Sequence, residues 1–317
     1  VNNQVNYISI CIPAYKRPEN IDRLLQSISL QSFKDYEIII TDDSMDDSLQ
    51  PVLQKYSYLP ILYFKNEQAL GTPANWNYGI SKASGEWIKL MHDDDWFSSA
   101  ESLEKFAAHT KSGTKFIFSA YKNITAGTGT QISMLFPDSW NKRIIKEPVT
   151  LLSNNVIGPP SVTLVHHSIT EKYDERMKWR VDLDFYIRVL KLEKQYNYIN
   201  DQLVNVGVNN TQVTNYCINQ PEVELPEGLL LLKKYGVQPL KNLRVYDAWW
   251  RIIRNLGIRN TNQLQQYTKV EEWPKVIINI IRQQSVITPK MLRIGAFSKF
   301  LMSLSFIRNQ KYLNNYH

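Results

Sequence analysis

A chain of 317 residues with 43% hydrophobic and 21% charged side chains can bury the core of one large domain, or of one domain with a smaller appendage. Its formal charge of +7 is lopsided: seven basic residues and no acid follow Glu272, while residues 1–273 hold the other 30 basic residues and all 30 acids. An excess spread so thinly, with no recognition motif, excludes a nucleic-acid partner from the expectations, and no stretch approaches the roughly 20 apolar residues that span a bilayer.

Cys11 and Cys217 are too few for a disulfide framework. The polar start "VNNQVNY" carries no basic-then-apolar signal segment, so the expected setting is reducing and cytoplasmic.

In chain order, β-rich runs occur at "YISICI" (7–12), "YEIIIT" (36–41), "ILYF" (61–64), "WIKLM" (87–91) and "KFIFSA" (115–120). Between the first two, Ile21, Leu24, Leu25 and Ile28 mark one face of a helix, with Pro18 at its start. This alternation predicts an α/β fold, a mostly parallel sheet flanked by helices, with ligands at the carboxyl ends of the strands. Asp42 and Asp43 close one strand and Asp93, Asp94 and Asp95 another, so both acid clusters are expected on one rim.

Further on, "NITAGTGTQ" reads as a turn or hairpin and "NNVIGPPS" (154–161) as a loop. A helix is predicted from about Asp182, with Leu183, Tyr186, Ile187 and Leu190 on one face. "PEVELPEG" (221–228) reads as a linker into several helices without strands.

Carboxylates at a strand end, outside any histidine or cysteine cluster, suit a hard cation such as Mg²⁺ or Mn²⁺ that leaves positions free for substrate phosphates. A solvated turn capping the next helix is the competing reading. Trp96 suits either a sugar-ring platform or the core. His166 and His167, adjacent on a strand, would face opposite ways and make poor co-ligands. The chain lacks G-x-G-x-x-G, P-loop and zinc spacings.

The run "ISICIPAYKRPENIDRLLQSISLQSFKDYEIIITDDSMDDS", followed by "GTPANWNYGISKASGEWIKLMHDDDWF", resembles the nucleotide-binding half of family 2 glycosyltransferases. The resemblance covers residues 7–120 closely and 155–215 more loosely. It implies a GT-A (Rossmann-like) fold that binds a nucleotide sugar through a metal. By position it assigns Pro13, Ala14 and Tyr15 to the turn around uracil and ribose, and Asp42 to the uracil N–H. Asn75, Asn77 and Gly79 fall in the helix beneath the diphosphate. Asp95 falls at the metal, and Asp94 at the ribose or a metal-bound water. His92 stands where the family often has aspartate, which leaves a part for Asp93 open, and Lys16 replaces a frequent asparagine.

"YDERMKWRVDLDFYIR" resembles the family's catalytic-base segment. Asp182 takes the base position, Val181 replaces a usual glutamate and Arg188 matches an arginine. An N-cap is the alternative for Asp182, and a helix N-terminus would hold its pKa low. Gln212, in "NNTQVTN", lies where some relatives carry an acceptor-side histidine. The Q-x-x-R-W motif of processive synthases is missing.

The implied layout is a catalytic domain over 1–220, its nucleotide-sugar half at 1–120 and its acceptor half at 121–220, then a helical basic region over 221–317. The implied activity is inverting, metal-dependent, non-processive transfer of a hexosyl or N-acetylhexosaminyl group from a nucleotide sugar, expected to be UDP-linked, to a glycan or lipid-linked glycan. A nucleotidyltransferase would need a glycine-rich loop where "PAYKRPEN" has no glycine, and an inactive binding module would have lost the strand-end acids. Residues 285–317 mix cations with Met291, Leu292, Ile294, Phe297, Phe300, Leu301, Leu304 and Phe306. That suits either a helix lying on an anionic membrane or one packed on the protein itself.

Overall fold

The computed structural model describes residues 7–209, 216–268 and 272–314. The chain divides into two compact units, one of residues 1–146, 156–175 and 185–212, the other of residues 147–155, 176–184 and 213–317.

The first unit carries a nine-stranded sheet. Its strands are β1 (Ile8–Ala14), β2 (Tyr36–Asp42), β3 (Ile61–Lys65), β4 (Trp87–Leu90), β5 (Trp96–Phe97), β6 (Phe116–Thr125), β7 (Gln131–Met134), β8 (Thr163–His166) and β9 (Asn197–Val208). The order is β3-β2-β1-β4-β8-β6-β9-β5, with β7 paired to β6 as the hairpin read from the sequence. The first four strands are wholly parallel, as expected. Beyond β4 the sheet is mixed: β8 runs antiparallel to β4 and β6, β9 parallel to β6, and β5 antiparallel to β9.

Strands β1 and β2 are covered on both faces, which is why they read as nearly unbroken apolar runs. Helix α1 (Pro18–Ser29) buries Ile21, Leu24, Leu25 and Ile28, each contributing on the order of 1.5–3 kcal/mol. The unit also holds α2 (Gln50–Lys55), α3 (Ala74–Ser81), α4 (Ser102–His109) and α5 (Asn141–Lys146). Helix α6 (Val181–Glu193) groups with this unit from Phe185 onward.

The second unit is helical: α7 (Pro221–Tyr235), α8 (Leu243–Asn255), α9 (Thr261–Thr268), α10 (Lys275–Ser285), α11 (Pro289–Leu292) and α12 (Gly295–Asn314). Tyr246, Trp250 and Ile253 of α8 meet Ile277 and Ile280 of α10 in its core.

Residues 221–228 are the first half of α7, not a linker. Pro221 occupies the first helical position, where an N–H has no partner to lose. Pro226 forfeits only one bond, to a carbonyl in the first turn. The two acids that make this stretch look solvated are buried and paired. Glu224 takes an ion pair from Arg180 at 2.6 Å, and Glu227 accepts the N–H groups of Lys178, Trp179 and Arg180 at 2.6–3.2 Å. Glu227→Ala would strand those donors and should lower stability by about 1–3 kcal/mol, read from the urea midpoint at unchanged slope. Glu227→Gln, which keeps an accepting oxygen, should cost less.

Candidate functional site

Both β2 and β4 pair parallel with β1, so the segments leaving their carboxyl ends emerge on one rim of the sheet. Asp42 and the Asp93–Asp95 run therefore leave the same rim, on either side of β1, as the strand pattern predicts.

The turn after β1 is tight. Lys16 and Arg17 both take left-handed backbone, φ 57° and 56°, a costly conformation for side chains of this kind and one that gathers at functional sites. It is fastened by Lys16 N–H to Ser44 Oγ at 2.6 Å and by Asp43 N–H to the Ala14 carbonyl at 2.9 Å. Ala14 is buried, Pro13 half-buried, and Tyr15 stands out from the turn half-exposed.

Asp42 is fully buried at the end of β2. Its Oδ1 accepts Ser44 N–H and its Oδ2 accepts the Tyr63 hydroxyl, both at 2.8 Å, which fixes the carboxylate and leaves one lone pair on each oxygen. Asp43 accepts the N–H groups of Leu70 and Gly71 and the Asn66 amide at 2.7–3.0 Å, anchoring the 66–71 loop. Asn75 is turned inward, donating to the Thr41 carbonyl at 2.9 Å and accepting from Asn66 at 3.1 Å. Asn77 clamps the backbone of Tyr173 through both its amide atoms. A Cβ on Gly79 would come within 3.2 Å of Thr41 Oγ1, so the bare glycine lets α3 lie close to the sheet.

After β4 the chain turns through His92 and the three aspartates. Asp95 is buried and its Oδ1 accepts Gly207 N–H at 3.1 Å. His92 N–H donates to Ser161 Oγ at 2.9 Å, and the Trp76 ring lies 4.6 Å from the imidazole. One ligand atom each from His92, Asp94 and Asp95 fall within 4.8 Å of one another. Nε2 of His92 is shut off from solvent and has no hydrogen-bond partner among the described residues. His92, which stands where the family often has aspartate, thus places an imidazole beside the carboxylates as a further group able to hold a metal. Asp93 turns instead toward Arg17, with Oδ1 3.5 Å from Nη1.

Burial, and then the Asp94 charge, push Asp93 up to about 7 and hold Asp95 well above the carboxylate range. Burial holds His92 below its ordinary value, which keeps the imidazole neutral and fit to be a ligand. Lys89, fully buried beneath the run, is pushed down to about 7 by burial against the pull of Asp95. Its ammonium donates to the carbonyls of Ser161 and Thr163 and lies 4.4 Å from the Phe106 ring.

Sequence reasoning overlooked Lys89, Arg17, Arg23, Ser161 and Gly207. A lysine at an inward position of an apolar strand was a readable signal; Ser161 and Gly207 arrive from distant segments and gave none. Trp96 carries the Arg23 guanidinium 3.9 Å above its ring, while Arg23 donates to the Asp94 carbonyl at 3.0 Å. The strand ends at His166, and the rings of His166 and His167 lie close instead of diverging, centroids 4.5 Å apart and tilted by 31°.

In the second unit, Asp182 sits in the first turn of α6 and is half-buried. Its Oδ1 accepts Leu183 N–H at 2.8 Å and its Oδ2 the Asn155 amide at 2.7 Å. The expected low pKa is reversed: burial outweighs the helix N–H groups and pushes Asp182 up to about 7. Asp184 is wholly buried and bound by Lys234 and by the Tyr235 hydroxyl, both at 2.7 Å. In the first unit Arg188 pairs with Glu171. Gln212 lies outside the described residues.

A family model described as "Glycosyl transferase family 2" matches residues 9–174, just over half of the chain. An uncharacterized glycosyltransferase, YwdF of Bacillus subtilis, is 42% identical over 100 residues, 32% of this chain and 37% of that one. The GalNAc(5)-diNAcBac-PP-undecaprenol beta-1,3-glucosyltransferase of Campylobacter jejuni is 35% identical over 91 residues, 28% of this chain and 29% of its own. The matched stretches span about a third of the length of these curated relatives. Among solved structures, S. aureus TarS 1-349 in complex with UDP-GlcNAc superposes with a TM-score of 0.58 at 16% identity, covering 96% of this chain and 92% of that one. The fold is of the GT-A type. Among the described residues, no helix is long and apolar enough to cross a membrane.

A Cβ on Gly207 would lie 2.3 Å from the Asp94 carbonyl oxygen, so β9 can approach the acid turn only with a bare backbone there. Gly207→Ala should push the turn away and lower stability by about 1–3 kcal/mol, measured by urea unfolding. An unchanged midpoint would mean that the turn yields freely.

Proposed function

Because the chain belongs to glycosyltransferase family 2, we propose that it transfers one sugar at a time, with inversion, from a UDP-sugar to a glycan or lipid-linked glycan acceptor. The observation that carries this reading is the convergence of His92, Asp94 and Asp95 on the rim that also bears Asp42. The complex of TarS with UDP-GlcNAc and the lipid-linked glycan in the name of the Campylobacter relative support the donor and acceptor classes. We place the reaction in the cytoplasm, where the buried thiols of Cys11 and Cys217 stay reduced.

The residues fit a divalent cation: two carboxylates and a neutral imidazole within reach of each other, the imidazole with an orphaned nitrogen. When bound, such an ion neutralises charge on a departing diphosphate. Asp95, Asp94 and His92 would hold it, and because imidazole suits transition ions whereas Mg²⁺ prefers all-oxygen sites, this set favours Mn²⁺ over Mg²⁺. The Pro13–Tyr15 turn receives base and ribose, and Asp42, enclosed in this structure, accepts the uracil N–H on a remaining lone pair once that turn opens to the base. Asn75, through its bonds to Thr41 and Asn66, holds the helix that lies under the diphosphate. Asp93, paired to Arg17, keeps that arginine beside the donor turn.

Asp182 takes the proton of the acceptor hydroxyl. The new bond from the acceptor oxygen to the anomeric carbon forms as the bond to the diphosphate oxygen breaks, so one displacement inverts the centre. The diphosphate needs no proton, and a single base suffices.

Calorimetry should show UDP binding most tightly with Mn²⁺, less so with Mg²⁺ and least in EDTA, and Asp95→Ala should erase these differences without unfolding the sheet. Equal affinity in all three conditions would overturn the metal assignment.

For Asp182→Asn, turnover should fall on the order of 10²–10⁴-fold with donor affinity nearly unchanged. A base with a pKa of about 7 works only when ionised, so the parent's kcat/KM should rise as pH climbs through that value. The variant should lose this limb, and Asp184→Asn should keep it. Full activity in Asp182→Asn would return the residue to helix capping.

A further inference from the structure

Helix α12 turns polar as well as apolar side chains inward: Met302 and Leu313 join the helical core, and Leu301 and Phe306 pack against it. The side facing the helical core carries Ser298, Ser305 and Asn309, all nearly inaccessible, with Met302 between them. These polar groups are used: Trp250 Nε1 donates to Ser298 at 3.0 Å, the Tyr246 hydroxyl meets Ser305 at 2.6 Å, and Asn309 donates to Tyr246 at 2.7 Å. The opposite side carries Phe300 and Ile307, 59% and 68% exposed and two turns apart on one face. Leu304 lies half-buried between them, and exposed Lys299, Arg308 and Lys311 flank the stripe. Just upstream, Ile294 is also 58% exposed.

We infer that the outer face of α12 is a docking surface for an anionic phospholipid membrane, with the Phe300–Ile307 stripe entering the headgroup boundary and the flanking cations meeting lipid phosphates. Two observations select this occupant. Although apolar residues occur all around the helix, its exposed face combines an apolar stripe with cations, the chemistry that an anionic lipid surface accepts, and α12 does not meet the requirements of a membrane span. The sequence beyond Glu272 holds seven cations and no acid. A second copy docked through the same face would set like charges against each other, whereas an anionic lipid surface is complementary.

The test uses the full chain and sedimentation with vesicles of phosphatidylcholine, either pure or containing about one-third phosphatidylglycerol. The parent should pellet with the anionic vesicles, more weakly as salt rises, and stay in solution with the neutral ones. Phe300→Asp with Ile307→Asp, and separately Lys299→Glu with Lys311→Glu, should each weaken binding by at least about tenfold. Because all four side chains are exposed, circular dichroism and UDP binding should match the parent. Failure of the parent to bind anionic vesicles would overturn the proposal, as would binding unaffected by both pairs of substitutions. Light scattering that shows a dimer broken by Phe300→Asp would also overturn it and assign the face to a second copy.

Discussion

Three consecutive carboxylates at the end of β4 set a charge problem around which the sheet unit is arranged. Burying an anion costs several kcal/mol unless nearby groups compensate, and Asp95 is almost wholly enclosed. The cations that the chain supplies answer only in part. Lys89 lies beneath the run but is itself so enclosed that its pKa falls to about 7. Arg17 reaches only Asp93, at 3.5 Å, and Arg23 gives its hydrogen bond to the Asp94 carbonyl rather than to a carboxylate. Asp93 and Asp95 consequently remain raised. Such an arrangement wastes stability in isolation; the divalent cation proposed above would offset the repulsion and give the His92 nitrogen the partner it lacks among the described residues.

The mixed half of the sheet contributes to the same cluster. Ser161, ahead of β8, fixes the His92 backbone, and Gly207 of β9 fixes Asp95 while leaving room for the Asp94 carbonyl. The parallel strands deliver the acids to the rim, and the later strands hold them in position. The burial of Asp95 speaks against a solvated turn, the reading that the local sequence left open.

The parallel half of the sheet and α1 were legible because each face repeats its period over several residues. Asp42 and Asp93–Asp95 were legible as one rim because parallel strands end together. What stayed hidden depends on contacts distant in sequence. Glu224 and Glu227 made α7 look like a linker because their partners lie over forty residues away, at Arg180 and the Lys178–Arg180 backbone. The pKa of Asp182 came out reversed for a related reason: the helix terminus is visible in the sequence, whereas the burial that outweighs it is not.

Helix α12 shows this limit most clearly. Apolar residues occur all around it, so no periodicity tells which side faces inward. The choice is made by α8, whose Tyr246 and Trp250 bring a hydroxyl and an indole N–H into the core and require polar partners there. Ser298, Ser305 and Asn309 meet that requirement, and once they face inward the helix geometry turns Phe300 and Ile307 outward. The exposed apolar stripe is therefore tied to the hydrogen bonding of the helical core. Replacing it with polar residues would leave those internal bonds intact, so core packing does not account for its presence; the cations beside it give the stripe a chemical context that a bare hydrophobic patch would lack.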